Sequence, residues 1–172
     1  AGVLTMLFTT PGAFDDRDRV HAEVLQAIME ERLFTRIREE LGASYNGGNA
    51  SVGFVDEPRA ESQLSINVAG DPDRLDEIKA TLLSELNELD SSGPTDAEFQ
   101  RAVAVVTDNY NFISNGEIID QLLEEANDGA PVLTNQAAFT IVTQTSRADV
   151  ARVAAEVINT ESWIEVFVTP NP

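Results

Sequence analysis

The sequence has no cysteine, one histidine and one lysine among 172 residues, and each scarcity removes a class of chemistry. Without cysteine the chain can form no disulfide, no thiolate metal site and no cysteine nucleophile. The single histidine, His21, excludes the helical zinc motifs that need two histidines and a glutamate. We therefore expect no catalytic residue and no metal-ligating residue in this chain, although the residues alone leave a carboxylate-only site for calcium or magnesium open. The compartment stays open, because a chain without cysteine is compatible with the cytoplasm or with export.

Positive charge and long apolar runs are also scarce. Eleven Lys and Arg residues oppose 30 Asp and Glu residues, which gives a formal net charge of -19. This balance argues against nucleic-acid binding through phosphate neutralisation and against docking on an anionic membrane surface. No apolar run approaches the roughly 18 residues that a membrane span needs. A solvated acidic surface that aids solubility is the simpler interpretation, and attraction of basic partners is the alternative.

Apolar spacing and turn residues predict an α+β protein. Strands are predicted where apolar residues alternate, and helices where they recur at helical spacing behind capping residues. The predicted strands cover residues 2–12, 43–54, 60–70 and 162–170, and the predicted helices cover residues 14–42, 71–93, 94–115, 115–129 and 146–159. The first helix is expected to bend or break near residue 30. Residues 135–145 fit a strand or a helix.

The element order is strand, helix, hairpin, several helices, strand. It departs from the regular alternation of a parallel doubly wound sheet. We predict a single α+β domain over residues 1–172, with a mostly antiparallel sheet and helices packed on one face. Because the sequence begins in a predicted strand without Met, we expect a fragment of a longer protein.

One polar stretch stands apart, "RLFTRIREELGASYNGGNAS" at residues 32–51. Arg38 lies near the end of the first helix, and Tyr45 follows seven residues later. Each has an ordinary explanation, because the helix dipole favours arginine at a helix C-terminus and tyrosine is common in strands. His21, alone in the first turns of the helix, is expected to be a packing or surface residue.

The same stretch resembles the C-terminal, non-catalytic homologous domain of insulinase/pitrilysin-type (M16) zinc metallopeptidases. The family pattern has R-L, R-E, L-G and Ser/Thr-Tyr in turn, and the matching residues are Arg32-Leu33, Arg38-Glu39, Leu41-Gly42 and Ser44-Tyr45. Further on, a helix opened by D-P and a helix opened by P-T-x-x-E-x-x-x-A also match, the latter at Pro94, Thr95, Glu98 and Ala102. The resemblance covers residues 1 to about 110.

This resemblance implies a fold of the LuxS/MPP-like metallohydrolase type and a role in a multi-domain peptidase. In such enzymes two similar domains close on a peptide chamber, and only one of them carries the inverted zinc motif H-x-x-E-H. The chain alone lacks that motif and is expected to be inactive, with zinc held by a homologous partner domain on the same or a separate chain. Arg38 and Tyr45 match the family's arginine and tyrosine that contact the bound peptide.

Two other functions stay open. The same fold serves as a scaffold in respiratory-complex core subunits and in partners of processing peptidases, without peptidase activity. A standalone peptide-binding module is the third option. In any of these cases an isolated half is expected to expose an apolar inter-domain face, so self-association is possible.

Overall fold

The computed structural model describes residues 1–56, 58–111, 123 and 133–169, which form one antiparallel sheet and the helices that pack on it. The strands are β1 (Gly2–Pro11), β2 (Asn49–Val55), β3 (Glu61–Gly70) and β4 (Trp163–Val168). They lie in the order β2-β3-β1-β4, and every neighbouring pair is antiparallel. The predicted α+β class with a mostly antiparallel sheet is confirmed.

The helices start and end largely where the capping residues predict. The described helices are α1 (Asp16–Leu33), α2 (Leu75–Ser92), α3 (Asp96–Asn111), α4 (Asn135–Gln144) and α5 (Arg147–Val157). Asp15 caps α1 in a capping box, and Ser146 caps α5 in the same way. None of the described helices combines the length and the apolar character needed to cross a bilayer.

The core lies between the helices and one face of the sheet. Alternate residues of β1 and β3 point to this face because strand side chains alternate with a period of two. Leu4 pairs with Val68 and Met6 pairs with Ile66 across the two strands, and all four side chains are buried. The opposite face is left largely open by the described residues, with Ile164, Val166 and Val168 of β4 exposed there.

Three predictions need comment: one differs from the structure, one is resolved by it, and one concerns residues outside the described ranges. The first helix does not break at residue 30: its α-helical geometry continues to Leu33 and then changes to a π-helical segment, Phe34–Glu40. Residues 135–145, left open between strand and helix, are helical: α4 covers Asn135–Gln144. The acidic helix predicted over residues 115–129 lies outside the described residues, apart from residue 123.

Candidate functional site

The end of α1 is unusual because its backbone hydrogen bonds change from the α-helical to the π-helical spacing. The backbone is π-helical over Phe34–Glu40, and the N–H of Leu41 donates to the carbonyl oxygen of Arg36, five residues back (2.9 Å). π-helical turns are rare and frequently lie at functional sites. Gly47, with φ of 80°, packs so closely on this segment that a Cβ there would lie 2.6 Å from the Phe34 Cα. Only glycine fits, so the following loop lies directly against the start of the segment.

The loop that carries Tyr45 is fixed to the sheet on its other side. Ser44 forms an antiparallel bridge with Gly70, and its Oγ donates to a β3 carbonyl oxygen at 2.6 Å. A Cβ at Gly70 would lie 2.5 Å from the carbonyl oxygen of Ala43, so the loop and the end of β3 are in backbone contact. Tyr45 therefore projects from a backbone held by the π-helical segment on one side and by β3 on the other.

Arg38 and Tyr45, the two residues predicted to bind substrate, lie side by side on the surface. Tyr45 is 88% exposed. The guanidinium carbon of Arg38 lies 5.5 Å from the centroid of the Tyr45 ring and 4.6 Å from the centroid of the Phe34 ring. Within the described residues, no hydrogen bond engages the Tyr45 hydroxyl. Both side chains thus present unoccupied polar groups at the same place.

Arg38 also differs from the two arginines that precede it in this stretch. Arg32 bonds to Glu98 (2.7 Å), and Arg36 bonds to Glu40 (2.8 Å) and Glu85 (2.9 Å). Among residues 1–56, 58–111, 123 and 133–169, Arg38 has no carboxylate within ion-pair distance, although the chain carries 30 Asp and Glu residues. Its guanidinium carbon lies near two aromatic rings, and a ring, unlike a carboxylate, does not accept the in-plane N–H donors.

Arg32 of the signature is a structural residue. It is 8% exposed, and its guanidinium meets the Glu98 carboxylate with two hydrogen bonds, Nε to Oε1 (2.7 Å) and Nη2 to Oε2 (3.1 Å). Burial alone would raise the pKa of Glu98, but the hydrogen bonds from Arg32 and Thr95 outweigh it and lower that pKa to about 2. The pair joins the end of α1 to the start of α3, and the neighbouring polar cleft is lined by such pairs.

Comparison with known proteins agrees with the signature. The family model described as "Peptidase M16 inactive domain" matches residues 1–106. The chain belongs to the peptidase M16 inactive domain family. No match was found among functionally curated proteins.

Solved structures share the fold of this M16 inactive domain. A peptidase M16 inactive domain from Pseudomonas fluorescens superposes with a TM-score of 0.76 at 16% identity, covering 100% of this chain and 42% of that one. A protease from Helicobacter pylori gives 0.77 at 16% identity, covering 98% and 41%. A mutant of the ferredoxin protease FusC, in complex with Arabidopsis ferredoxin, gives 0.76 at 14% identity, covering 99% and 19%. The chain spans less than half the length of each of these proteins.

The donor set of this M16 domain does not fit a peptidase zinc. In the described part of the chain, no three His, Cys, Asp or Glu side chains converge as a metal site would require. His21, the single histidine, is 4% exposed. Burial lowers its pKa, and the charges around it belong to α1 and α5, outside any site. No chemical step is therefore assigned to a metal on this domain.

Phe34 is the site residue that sequence reasoning missed. Its ring is the nearer of the two that contact Arg38, and it lies four residues before the arginine, one helical turn away. That spacing is visible in the sequence and predicts a side-chain contact on a helix. Aromatic residues at such spacing usually belong to the core, whereas Phe34 is 38% exposed.

Proposed function

We propose that this chain is the non-catalytic, substrate-binding half of an M16 zinc metalloendopeptidase and closes a peptide chamber opposite the zinc-bearing domain. The zinc would be held by that homologous domain, on the same or a separate polypeptide. One observation carries the proposal: a tyrosine that is 88% exposed on a fixed loop, beside an arginine with unoccupied donors.

The chemistry of the pair suits a peptide. A guanidinium offers a planar fork of N–H donors that matches carbonyl or carboxylate oxygens. A phenol hydroxyl can donate to a peptide oxygen whose negative charge grows in the transition state. Both side chains start from backbone fixed by the π-helical segment and β3, so little ordering is needed on binding. A similar fold in a ferredoxin protease in complex with ferredoxin supports a polypeptide ligand.

The test uses full-length protein with its zinc-bearing half. Arg38→Ala and Tyr45→Phe are each expected to lower kcat/KM for peptide cleavage, by about 10²-fold if the lost donor stabilises the developing oxyanion. Tyr45→Phe keeps the ring against Arg38 and removes only the hydroxyl, so it isolates the donor. Unchanged kcat/KM in both variants would contradict the proposal.

The chain offers a matched control for the arginine. Arg17, in the first turn of α1, is exposed and, like Arg38, has no ion pair with any of the described residues. Arg17→Ala removes the same charge from the same acidic protein at a different place. If it lowered kcat/KM as much as Arg38→Ala, the effect would belong to overall charge and not to the site.

A scaffold domain without peptidase activity is the second candidate. The exposed apolar residues of β4 are compatible with it, because an open apolar sheet face fits a docking partner as well as a peptidase half. The two candidates separate in the full-length protein. A scaffold would keep its assembly after Arg38→Ala and Tyr45→Phe and would show no peptide cleavage that those changes could lower.

A further inference from the structure

We infer that Phe34 is a positioning residue for Arg38: its ring orients the guanidinium towards Tyr45 while leaving the N–H donors free for the substrate. The inference rests on the proposed function and deepens it. Arg38 lies over Phe34 at 4.6 Å and over Tyr45 at 5.5 Å, so the guanidinium is in contact with two rings. No described carboxylate takes part in this contact.

The choice of a ring in place of a carboxylate has a chemical consequence. A carboxylate would orient an arginine by accepting its N–H groups, and those groups would then be unavailable to a peptide. A ring attracts the guanidinium through its face and leaves the in-plane donors open. Elsewhere in this chain the usual solution is the carboxylate: Arg32 and Arg36 are both held by glutamates, and neither has a ring contact among the described residues.

The position of Phe34 is itself fixed by the backbone. Phe34 is the first residue of the π-helical segment, and Gly47 lies against its Cα and N. These contacts involve the backbone of Phe34 and leave its ring at the surface, 38% exposed. A change of the ring therefore leaves the packing of the loop on the segment intact, which makes the residue testable without unfolding the site.

A second arginine and phenylalanine pair provides the matched control. Arg19 lies 5.3 Å over the ring of Phe54 on β2, and Arg19 is also paired with Asp56 at 2.9 Å. The pair lies away from the loop that carries Tyr45. Phe54→Leu thus removes the same kind of contact at a place where the arginine already has a carboxylate.

The experiment measures peptide cleavage by full-length protein and the side-chain Nε–Hε NMR signal of Arg38 in the chain. Phe34→Leu is expected to lower kcat/KM roughly two- to fivefold, the effect of losing one exposed cation–π contact. Phe34→Tyr should restore the wild-type value, and Phe54→Leu should leave it unchanged. In the Arg38→Ala background, Phe34→Leu should have no further effect. The chemical shift of the Arg38 Nε–Hε signal, which the ring current of Phe34 affects, should change in Phe34→Leu but not in Phe54→Leu.

The outcomes separate the two proposals. If Arg38→Ala lowers kcat/KM but Phe34→Leu does not, or if Phe34→Leu lowers it equally with and without Arg38, positioning by Phe34 is wrong and the proposed function stands. If neither Arg38→Ala nor Tyr45→Phe changes kcat/KM, the proposed function fails. The NMR signal then decides the positioning by itself, and an unshifted signal in Phe34→Leu overturns it.

Discussion

At the scale of single residues, neighbouring arginines of one helix end have different tasks. Arg32 is buried on Glu98 and joins α1 to α3, whereas Arg38 lies at the surface on two aromatic rings. The difference arises because the two side chains leave the helix end on different sides. One side packs on α2 and α3, and the other meets the loop that carries Tyr45 and Gly47. Sequence spacing alone cannot separate these tasks, because arginine is favoured near any helix C-terminus.

At the same scale, we predict that His21 makes the stability of the fold depend on pH. Burial lowers its pKa below the ordinary 6.5, while Asp149 and Asp18 raise it and Arg152 and Arg17 lower it further. Within the described residues its Nδ1 has no hydrogen-bond partner. The unfolded chain therefore binds a proton more readily than the folded one. Stability is full above pH 6.5 and falls as the pH drops through the lowered pKa.

The measurement is urea unfolding at pH 7.5 and at pH 5.5, for the wild type and for His21→Leu. The wild type is expected to lose stability at the lower pH, and the variant, which has no group to protonate there, to lose less. The carboxylates of Asp18 and Asp149 have lowered pKa values, so they stay ionised over this interval. Equal losses in the two proteins would show that His21 is not the titrating group.

At the scale of elements, the regular strands and helices could be predicted and the site geometry could not. Leu64, Ile66 and Val68 alternate, and the apolar stripe of α2 recurs at helical spacing, so pattern alone places them in the core. The π-helical segment contacts Gly47, seven residues beyond its end at Glu40. Apolar periodicity indicates which residues face the core, and it does not report a change of hydrogen bonding or a loop contact of this kind.

The same limit of sequence patterns explains which residues of the candidate site could be predicted and which could not. Arg38 and Tyr45 came from resemblance to a family, and the structure brings them together. Two adjacent glycines at 47 and 48 fit a bulge, a sheet edge or close approach of another backbone, and at Gly47 the structure has the close approach. Phe34 was missed because its role depends on which way its ring faces at the surface. An i, i+4 spacing shows that two side chains can meet but not that they remain exposed.

The prediction at the scale of elements concerns the contribution of Arg32 to stability. Arg32→Ala would leave Glu98 half-buried beside Glu85 without its cation, and breaking a buried ion pair destabilises a protein by about 3 kcal/mol. Chemical denaturation should show that loss in the free energy of unfolding. In the wild type, the stability due to Glu98 is full above its ordinary pKa of 4.5 and is lost as the pH falls towards 2.

Arg101→Ala is the control for this change. Arg101 pairs with Glu31 at 2.6 Å, but both side chains are largely in solvent, where an ion pair contributes little. The control also removes one positive charge next to the same cleft. If both variants lost the same stability, the loss would come from the added net negative charge and not from the buried pair.

At the scale of the whole molecule, two surface properties oppose each other. The net charge of -19 keeps copies of the chain apart, whereas the open sheet face offers exposed Ile164, Val166 and Val168 as an apolar surface. β4 is also an edge strand of the described sheet, with one side not paired to any described strand. Exposed apolar edge strands promote pairing between chains.

The isolated chain is therefore expected to self-associate, and more strongly in high salt, because salt screens the repulsion and leaves the apolar contact intact. Sedimentation velocity over a range of concentrations should show an average mass that rises with concentration.

Val166→Lys should shift the chain towards monomer, since it places a charge in the middle of the face. Val105→Lys is the matched control, because Val105 on α3 is 54% exposed and Val166 is 50% exposed. A chain that stays monomeric at every concentration and salt level, or an equal response to both lysines, would show that the open sheet face does not drive association. Salt-strengthened association that Val166→Lys alone abolishes would identify this face as the surface through which copies of the chain associate.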